Sequence, residues 1–347
     1  LTLLFLSNPY PEYGDSGLMA MQARQLARSH FATFTFDYRG ESLDPERHFL
    51  PFQKPFLGIV EGEPYIDFPP YFPTIVAPFT LLPWAKSIFL PATLALAFTF
   101  FFWLRLGDLL EIKPSWLPLL LYSSCSGILI YNHVLHETPF ALLLLTISLY
   151  YLIKLFNTDT FASALGFGFA AGLALFFRLE AGLFALAGGL ALLALRPRLA
   201  LRRGPVAALF FSAPVLILLY LNQEIHGHPL GLRYLLTTYV ADRLQIIHGL
   251  LFSSIRGLYY QAPLFLLCWL GPIFLKDPLS RLLWLFHTIL LLLTIALMPN
   301  HGDHIAPRYL YPALLPAILL LCRLAGVFLE RVRAKSLPGK FFLGLWV

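Results

Sequence analysis

Residues 132–138, NHVLHET, run directly into residues 139–155, PFALLLLTISLYYLIKL. The second piece is apolar over most of the roughly 20 residues a helix needs to cross a bilayer core. The first puts His133, His136 and Glu137 at the point where the chain enters that apolar phase. Further apolar spans lie at about 86–106, 116–131, 161–177, 181–195, 205–221, 258–275, 282–298 and 309–325.

Composition agrees with this reading. The 347 residues are 58% hydrophobic and only 13% charged, with a mean hydropathy of +0.70. A soluble enzyme is not built this way; the sequence predicts an all-α polytopic membrane protein, one transmembrane domain over 1–347. Leu1–Leu6 reads as the tail of one helix and Phe341–Val347 as the opening of another. With these incomplete first and last members, about eleven transmembrane helices are expected. The net charge of +6 is split among short loops and gives no nucleic-acid signature. Cys125, Cys268 and Cys322 sit in or beside apolar runs without CxxC spacing, which favours packing over a disulfide or a metal. Gly168 and Gly172 have the small-residue spacing of a close helix contact.

Basic residues in short loops set the orientation. Arg196, Arg198, Arg202 and Arg203 form one cluster, Lys276 and Arg281 a second, and Arg331, Arg333 and Lys335 a third. Alternating the spans puts all three on one side, the expected cytoplasmic face. The other face receives the first loop at 7–85, the short connection at 132–138, and the loops at 222–257 and 299–308. Every histidine except His287 falls there, with most of the acids. An integral protein of the inner membrane with its site on the extracytoplasmic face is expected.

The long first loop is patterned. Ser16–His30 has helical apolar spacing, Leu18, Met21 and Leu26 against Gln22, Arg24 and Arg28, which predicts an interfacial helix. Pro69–Pro83 is apolar but broken by Pro73 and Pro78, so it reads as an interfacial or re-entrant piece.

Several residues have the chemistry of a site. Asp15 is a carboxylate at the membrane boundary and a candidate general base; either it or Ser16 also suits the cap of the following helix. Glu137 is held at the membrane edge, where an ionised group needs a partner or a function. Arg178 and Glu180 break an apolar stretch and read as an ion pair. His301, Asp303 and His304 are metal-ligand types without a fixed helical spacing, and no metal is predicted. Arg308 beside Tyr309, and Arg256 before Tyr259, suit bidentate contact with a phosphate at headgroup depth. The chain has no GxGxxG, GxxxxGK[ST], GxSxG or HExxH, which argues against nucleotide-driven pumps, Rossmann-type enzymes, serine hydrolases and HExxH metalloproteases.

Six short segments together resemble the type C glycosyltransferases, multi-spanning enzymes that use polyprenyl-phosphate sugars, and within them the protein O-mannosyltransferase and aminoarabinose transferase group. The segments are Tyr13-Gly14-Asp15 with the Ala20–Ala27 helix, Glu61–Tyr71 running into Ala77-Pro78-Phe79, His136-Glu137, Arg178-Leu179-Glu180, Arg256–Pro263, and Ala306–Leu310. The chain departs from the family pattern at Ser16, where a second acid is common, at Leu179 for a proline and at Ala306 for a glycine.

The resemblance implies a sugar moved from a lipid-linked donor to a glycan, lipid or protein acceptor, with membrane lipids as the other partners and no nucleic acid. It implies Asp15 as general base with Glu137 as the other catalytic residue, and Arg308, Arg256 and Arg178 as donor-phosphate ligands. Tyr65, Asp67, Glu180, His301, His304 and Tyr309 become substrate contacts. Divalent metal dependence varies within such families and is left open. The alternatives are a transporter or flippase, or an oligosaccharide polymerase, acting on lipid-linked sugars.

Overall fold

The computed structural model describes residues 14–38, 40–48, 56–60, 62–66, 68–84, 86–125, 134–231, 242–254, 257–298 and 308–334. The expected partial helices at 1–6 and 341–347 lie outside the described residues, as do His133, Arg256, His301 and His304.

The chain is mostly helical, and five helices are long and apolar enough to cross a bilayer: Ser87–Leu109, Thr138–Thr158, Pro197–His226, Pro278–Leu297 and Tyr311–Glu330. This is an integral membrane protein by that measure. Shorter apolar helices lie at Phe161–Ala174 and Ala181–Leu195.

We label the elements in chain order. The first region carries α1 (Gly14–Arg28), β1 (Leu57–Val60), β2 (Glu63–Ile66) and α2 (Tyr71–Val76). Then come α3 (Leu90–Leu109), α4 (Leu117–Cys125), α5 (Thr138–Thr158), α6 (Phe161–Ala174), α7 (Ala181–Leu195) and α8 (Pro197–His226). The last are α9 (Arg243–Leu251), α10 (Leu258–Gln261), α11 (Gly271–Phe274), α12 (Pro278–Leu297) and α13 (Tyr311–Ala334).

Local chemistry sets the ends of α5 and α6. Pro139 opens α5, where its missing N–H costs nothing, and Asp159 ends the helix in the left-handed region at φ 52°. Thr160 then caps α6, its Oγ1 accepting from the Ser163 N–H at 3.3 Å. Helix α8 stops at Gly227, a left-handed residue at φ 67°.

Contact between α6 and α8 needs the expected glycines. A Cβ on Gly168 would lie 2.0 Å from the Ala207 carbonyl oxygen, and one on Gly172 2.6 Å from that of Phe211. The two backbones meet there, with no room for a side chain between them.

Helices α3 and α5 both leave from one hydrophobic cluster, which holds Phe89 just before α3 and Leu135 and Phe140 at the entrance of α5, and Phe102 packs edge-on to Tyr150 further along. Their far ends point away from that cluster, and the Arg196–Arg203 group and the start of α12 meet them there. Arg203 Nε donates to Asp159 Oδ1 at 2.9 Å and Arg202 pairs with the same carboxylate. Arg196 donates to the Phe156 carbonyl at 2.7 Å. Arg323 bridges Asp277 at 3.1 Å, Ser280 at 2.7 Å and the Leu110 carbonyl that ends α3.

The opposite end is covered by a second core. Leu18, Met19, Ala23 and Leu26 of α1 pack with Leu57, Ile66, Phe72, Val76 and Leu135. An aromatic run, Phe72 to Phe140 to Phe177, with ring centroids 5.8 and 5.2 Å apart, fixes this cap to α5 and to the α6–α7 corner.

Five expectations need correction. The segment 258–275 is not one regular span but α10, a 3-10 stretch at Pro263–Leu270 and α11, because Pro263 and Pro272 lack the N–H a helix needs. The cluster at Arg196–Arg203 is not in a loop: α8 starts at Pro197, so three of its arginines ride on the first turns of that helix. The helix also runs on to His226, past the expected loop boundary at 222. The first region is not purely helical, since β1 and β2 pair antiparallel with Leu57 opposite Ile66. Gln22 is not on a wet face; it is buried together with its helix neighbours Leu18, Met19, Ala23 and Leu26, because α1 is enclosed by the second core. Pro69–Pro83 is a short helix and a 3-10 turn, not a spanning helix, as expected.

Candidate functional site

Three connections converge at the end opposite the basic clusters: the start of α1, the start of α5 and the α6–α7 corner. The corner is set by Arg178 N–H donating to the Ala174 carbonyl at 2.9 Å as α6 ends. This turns the Arg178 side chain back under the start of α5.

Arg178 is the hub. Its Nη1 lies 3.2 Å from Glu137 Oε1, its Nη2 donates to Glu180 Oε1 at 2.5 Å, and its Cζ sits 5.4 Å from the centre of the Tyr309 ring. All three charged residues are buried. Burial opposes the guanidinium charge, but Glu180, Glu137 and Tyr309 outweigh it, and the Arg178 pKa is raised. The expected Arg178–Glu180 pair is present, and Glu137 joins it from 41 residues away.

Asp15 stands beside this trio. The helix begins at Gly14, so Asp15 lies inside the first turn of α1, where a carboxylate faces the positive end of the helix dipole. Its Oδ2 is 3.9 Å from His136 Nε2, and the Asp15 side chain keeps 20% of its surface exposed. His136 is itself buried. Its Nδ1 accepts from the Thr138 N–H at 3.2 Å, lies 2.8 Å from Thr138 Oγ1, and is 3.3 Å from Glu137 Oε2. That last separation is an ion-pair distance without hydrogen-bond alignment, and Glu137 Oε2 has no hydrogen-bond partner among the described residues.

On the other flank of Arg178 is a cavity of about 50 Å³, room for about three or four waters. Its walls include Arg178, Glu180, Tyr71, Asn222 and His226. Tyr71 donates to Asn222 Oδ1 at 2.6 Å, which ties α2 to the end of α8; burial raises the Tyr71 pKa. Asn222 Nδ2 donates to the Pro229 carbonyl at 3.1 Å. His226 is 4% exposed, and its Nδ1 has no hydrogen-bond partner among the described residues. The Tyr65 ring on β2 meets His226 edge-on at 5.5 Å.

Of the expected site residues, the fold brings together Asp15, Glu137, Arg178, Glu180, Tyr309 and, at the rim, Tyr65. Asp67, Arg256, His301 and His304 lie outside the described residues, as does the Arg308 side chain. Among the described residues no three His, Cys, Asp or Glu side chains gather as a metal would need. Sequence reasoning gave no site role to Tyr71, which only closes the Glu61–Tyr71 segment, and did not pick out Asn222 or His226. They share no motif, and only the meeting of α2 with the end of α8 makes them neighbours. Compared with known proteins, the chain matches no family model, no curated protein and no solved structure.

Chemically, the arrangement offers a partly exposed carboxylate, a buried imidazole next to it, a buried acid–guanidinium–acid set, and a polar cavity alongside. Side chains of these types can accept, hold or pass on a proton.

Proposed function

We propose that this protein is a membrane glycosyltransferase that moves a sugar from a polyprenyl-phosphate carrier to an envelope acceptor on the extracytoplasmic face. The observation that carries the reading is the convergence of Asp15, Glu137 and the Arg178-Leu179-Glu180 corner. These residues come from three segments of the resemblance, lie far apart in sequence, and meet within hydrogen-bond or ion-pair distances. They do so at the end away from the arginine clusters, which by the basic-residue rule is the outer face.

In this reading Asp15 removes the proton from the acceptor hydroxyl while that oxygen attacks the anomeric carbon. The bond from that carbon to the phosphate oxygen breaks, the carrier leaves as polyprenyl phosphate, and the anomeric centre inverts. Asp15 then returns its proton to solvent. Its partial exposure fits contact with a substrate. Arg308 and Arg256 serve the departing phosphate, where preorganised positive charge lowers the barrier most. Arg178 is committed to two carboxyl groups, so its part in phosphate binding is indirect: it holds Glu137 and Glu180 in place. In this reading Glu180, Tyr65 and Tyr309 contact the sugar.

Purified protein in nanodiscs, given a panel of polyprenyl-phosphate sugars and an envelope extract, should release free polyprenyl phosphate with one donor and transfer its sugar one residue at a time. Carrier binding without release would instead favour a flippase. Chains of many residues would favour a polymerase.

A further inference from the structure

We infer that His136 positions Asp15: it holds a neutral imidazole with Nε2–H directed at that carboxylate, locked by the first turn of α5. The inference rests on Asp15 being the base of the proposed transfer, but its structural core stands on hydrogen-bond geometry.

The tautomer follows from the donors around the ring. A backbone N–H can only donate, and the Thr138 N–H points at His136 Nδ1 from 3.2 Å. That nitrogen must therefore present its lone pair. Thr138 Oγ1, 2.8 Å from the same atom, donates its proton there as well. The ring proton is then on Nε2, the nitrogen that faces Asp15 Oδ2 at 3.9 Å.

That separation is longer than a hydrogen bond, and catalytic contacts commonly tighten when substrate arrives. Once closed, Nε2–H holds Asp15 Oδ2 and leaves Oδ1 as the atom that accepts the acceptor's proton. His136 keeps its own proton throughout. It is a positioning residue, not a catalytic one, and it needs burial to hold its angle; it is 2% exposed.

A merely structural His136 would act as a cap for α5, since its acceptance from the N–H two residues on is a helix-start contact. Two substitutions separate these roles. His136→Asn supplies an oxygen for the Thr138 N–H but no donor that reaches Asp15. His136→Gln places an amide N–H near the position of the imidazole Nε2 but caps poorly.

The expected result is that His136→Asn melts like the wild type yet loses turnover by about tenfold to a hundredfold, the cost of about 1 Å of misplacement, with KM unchanged. His136→Gln melts lower but recovers most of that turnover. The reverse order, with Asn active and Gln inactive, would overturn the inference. An activity-independent check is 15N NMR of histidine-labelled protein, with the His136 signals assigned by difference from His136→Gln. A neutral Nε2–H ring supports the inference; an Nδ1–H ring or an imidazolium overturns it. If the wild-type protein transfers no sugar at all, the transferase reading fails, and the NMR result still decides the tautomer.

Discussion

Arg178 holds Glu137 at 3.2 Å, a contact that joins the α6–α7 corner to the entrance of α5 where both are buried. The same guanidinium holds Glu180 at 2.5 Å, so one cation serves two carboxylates. Removing it would strip the shared cation from two buried carboxyl groups. Arg178→Met should therefore destabilise the protein strongly, by about 3–5 kcal/mol, the usual cost of breaking a buried pair. Arg178→Lys should recover only part of this, because an ammonium cannot present a planar fork to two acids. Melting in detergent, followed by intrinsic fluorescence, measures both. A melting temperature for Arg178→Met within a degree or two of wild type would show that the trio contributes no net stability.

Asp15 separates catalysis from folding. Asn at position 15 keeps a polar group in the first turn of α1 but cannot take a proton, so expression and melting should stay near wild type. Turnover should fall by about two to four orders of magnitude, the usual worth of a positioned base. Carrier binding should survive. Retained turnover in Asp15→Asn would move the role of base to Glu137.

Two glycines of the bundle predict opposite outcomes. A Cβ at Gly168 would collide with the Ala207 backbone, while nothing lies within 4 Å of one at Gly204. Gly168→Ala should part α6 from α8 and lower the melting temperature. Gly204→Ala, in the interior of α8, should be neutral or stabilise by up to about 1 kcal/mol through helix propensity. Equal melting temperatures for the two variants would refute this packing.

The Asp277–Arg323 contact gives a pH dependence of known sign. Burial alone would raise the Asp277 pKa, but hydrogen bonds to Ser280 and the charge of Arg323 outweigh it and hold the carboxyl below its ordinary value of 3.8. A depressed folded-state pKa contributes stability that is fully present above the unfolded value and lost as pH falls through the folded one. Melting temperature should therefore drop below about pH 4. Asp277→Asn should show a smaller acid-side drop. An identical acid limb in the variant would mean that other carboxylates set it.

Labelling of single cysteines checks the orientation. Cysteines placed at Arg202 and Lys276 should react from the cytoplasmic side, and those at Gln245 and His304 from the other. Labelling of Arg202 and His304 positions from the same side would overturn both the topology and the site's placement.

Much of this was legible in the sequence because it depends on local composition. Apolar length marks the long helices, and Gly168 and Gly172 declare a close contact by lacking a side chain. Asp15, Glu137, Arg178 and Glu180 stand out because an ionised group at a membrane boundary is costly without a partner. What periodicity could not supply was the state of segments whose environment is made by others. Gln22 reads as a wet-face residue until the second core encloses α1. Residues 258–275 read as a span because hydropathy averages over the prolines that break it.

The sequence by itself therefore determined the class of protein, the positions of its long apolar helices and the set of charged residues that needed partners. Only the tertiary structure decided which partners they took. It put Arg178 on Glu137, His136 between Asp15 and Thr138, and His226 beside Tyr65 and Arg178. The physical reason is range. Hydrophobic length and glycine's small size act within one helix, whereas an ion pair across 41 residues exists only after the helices between them have packed.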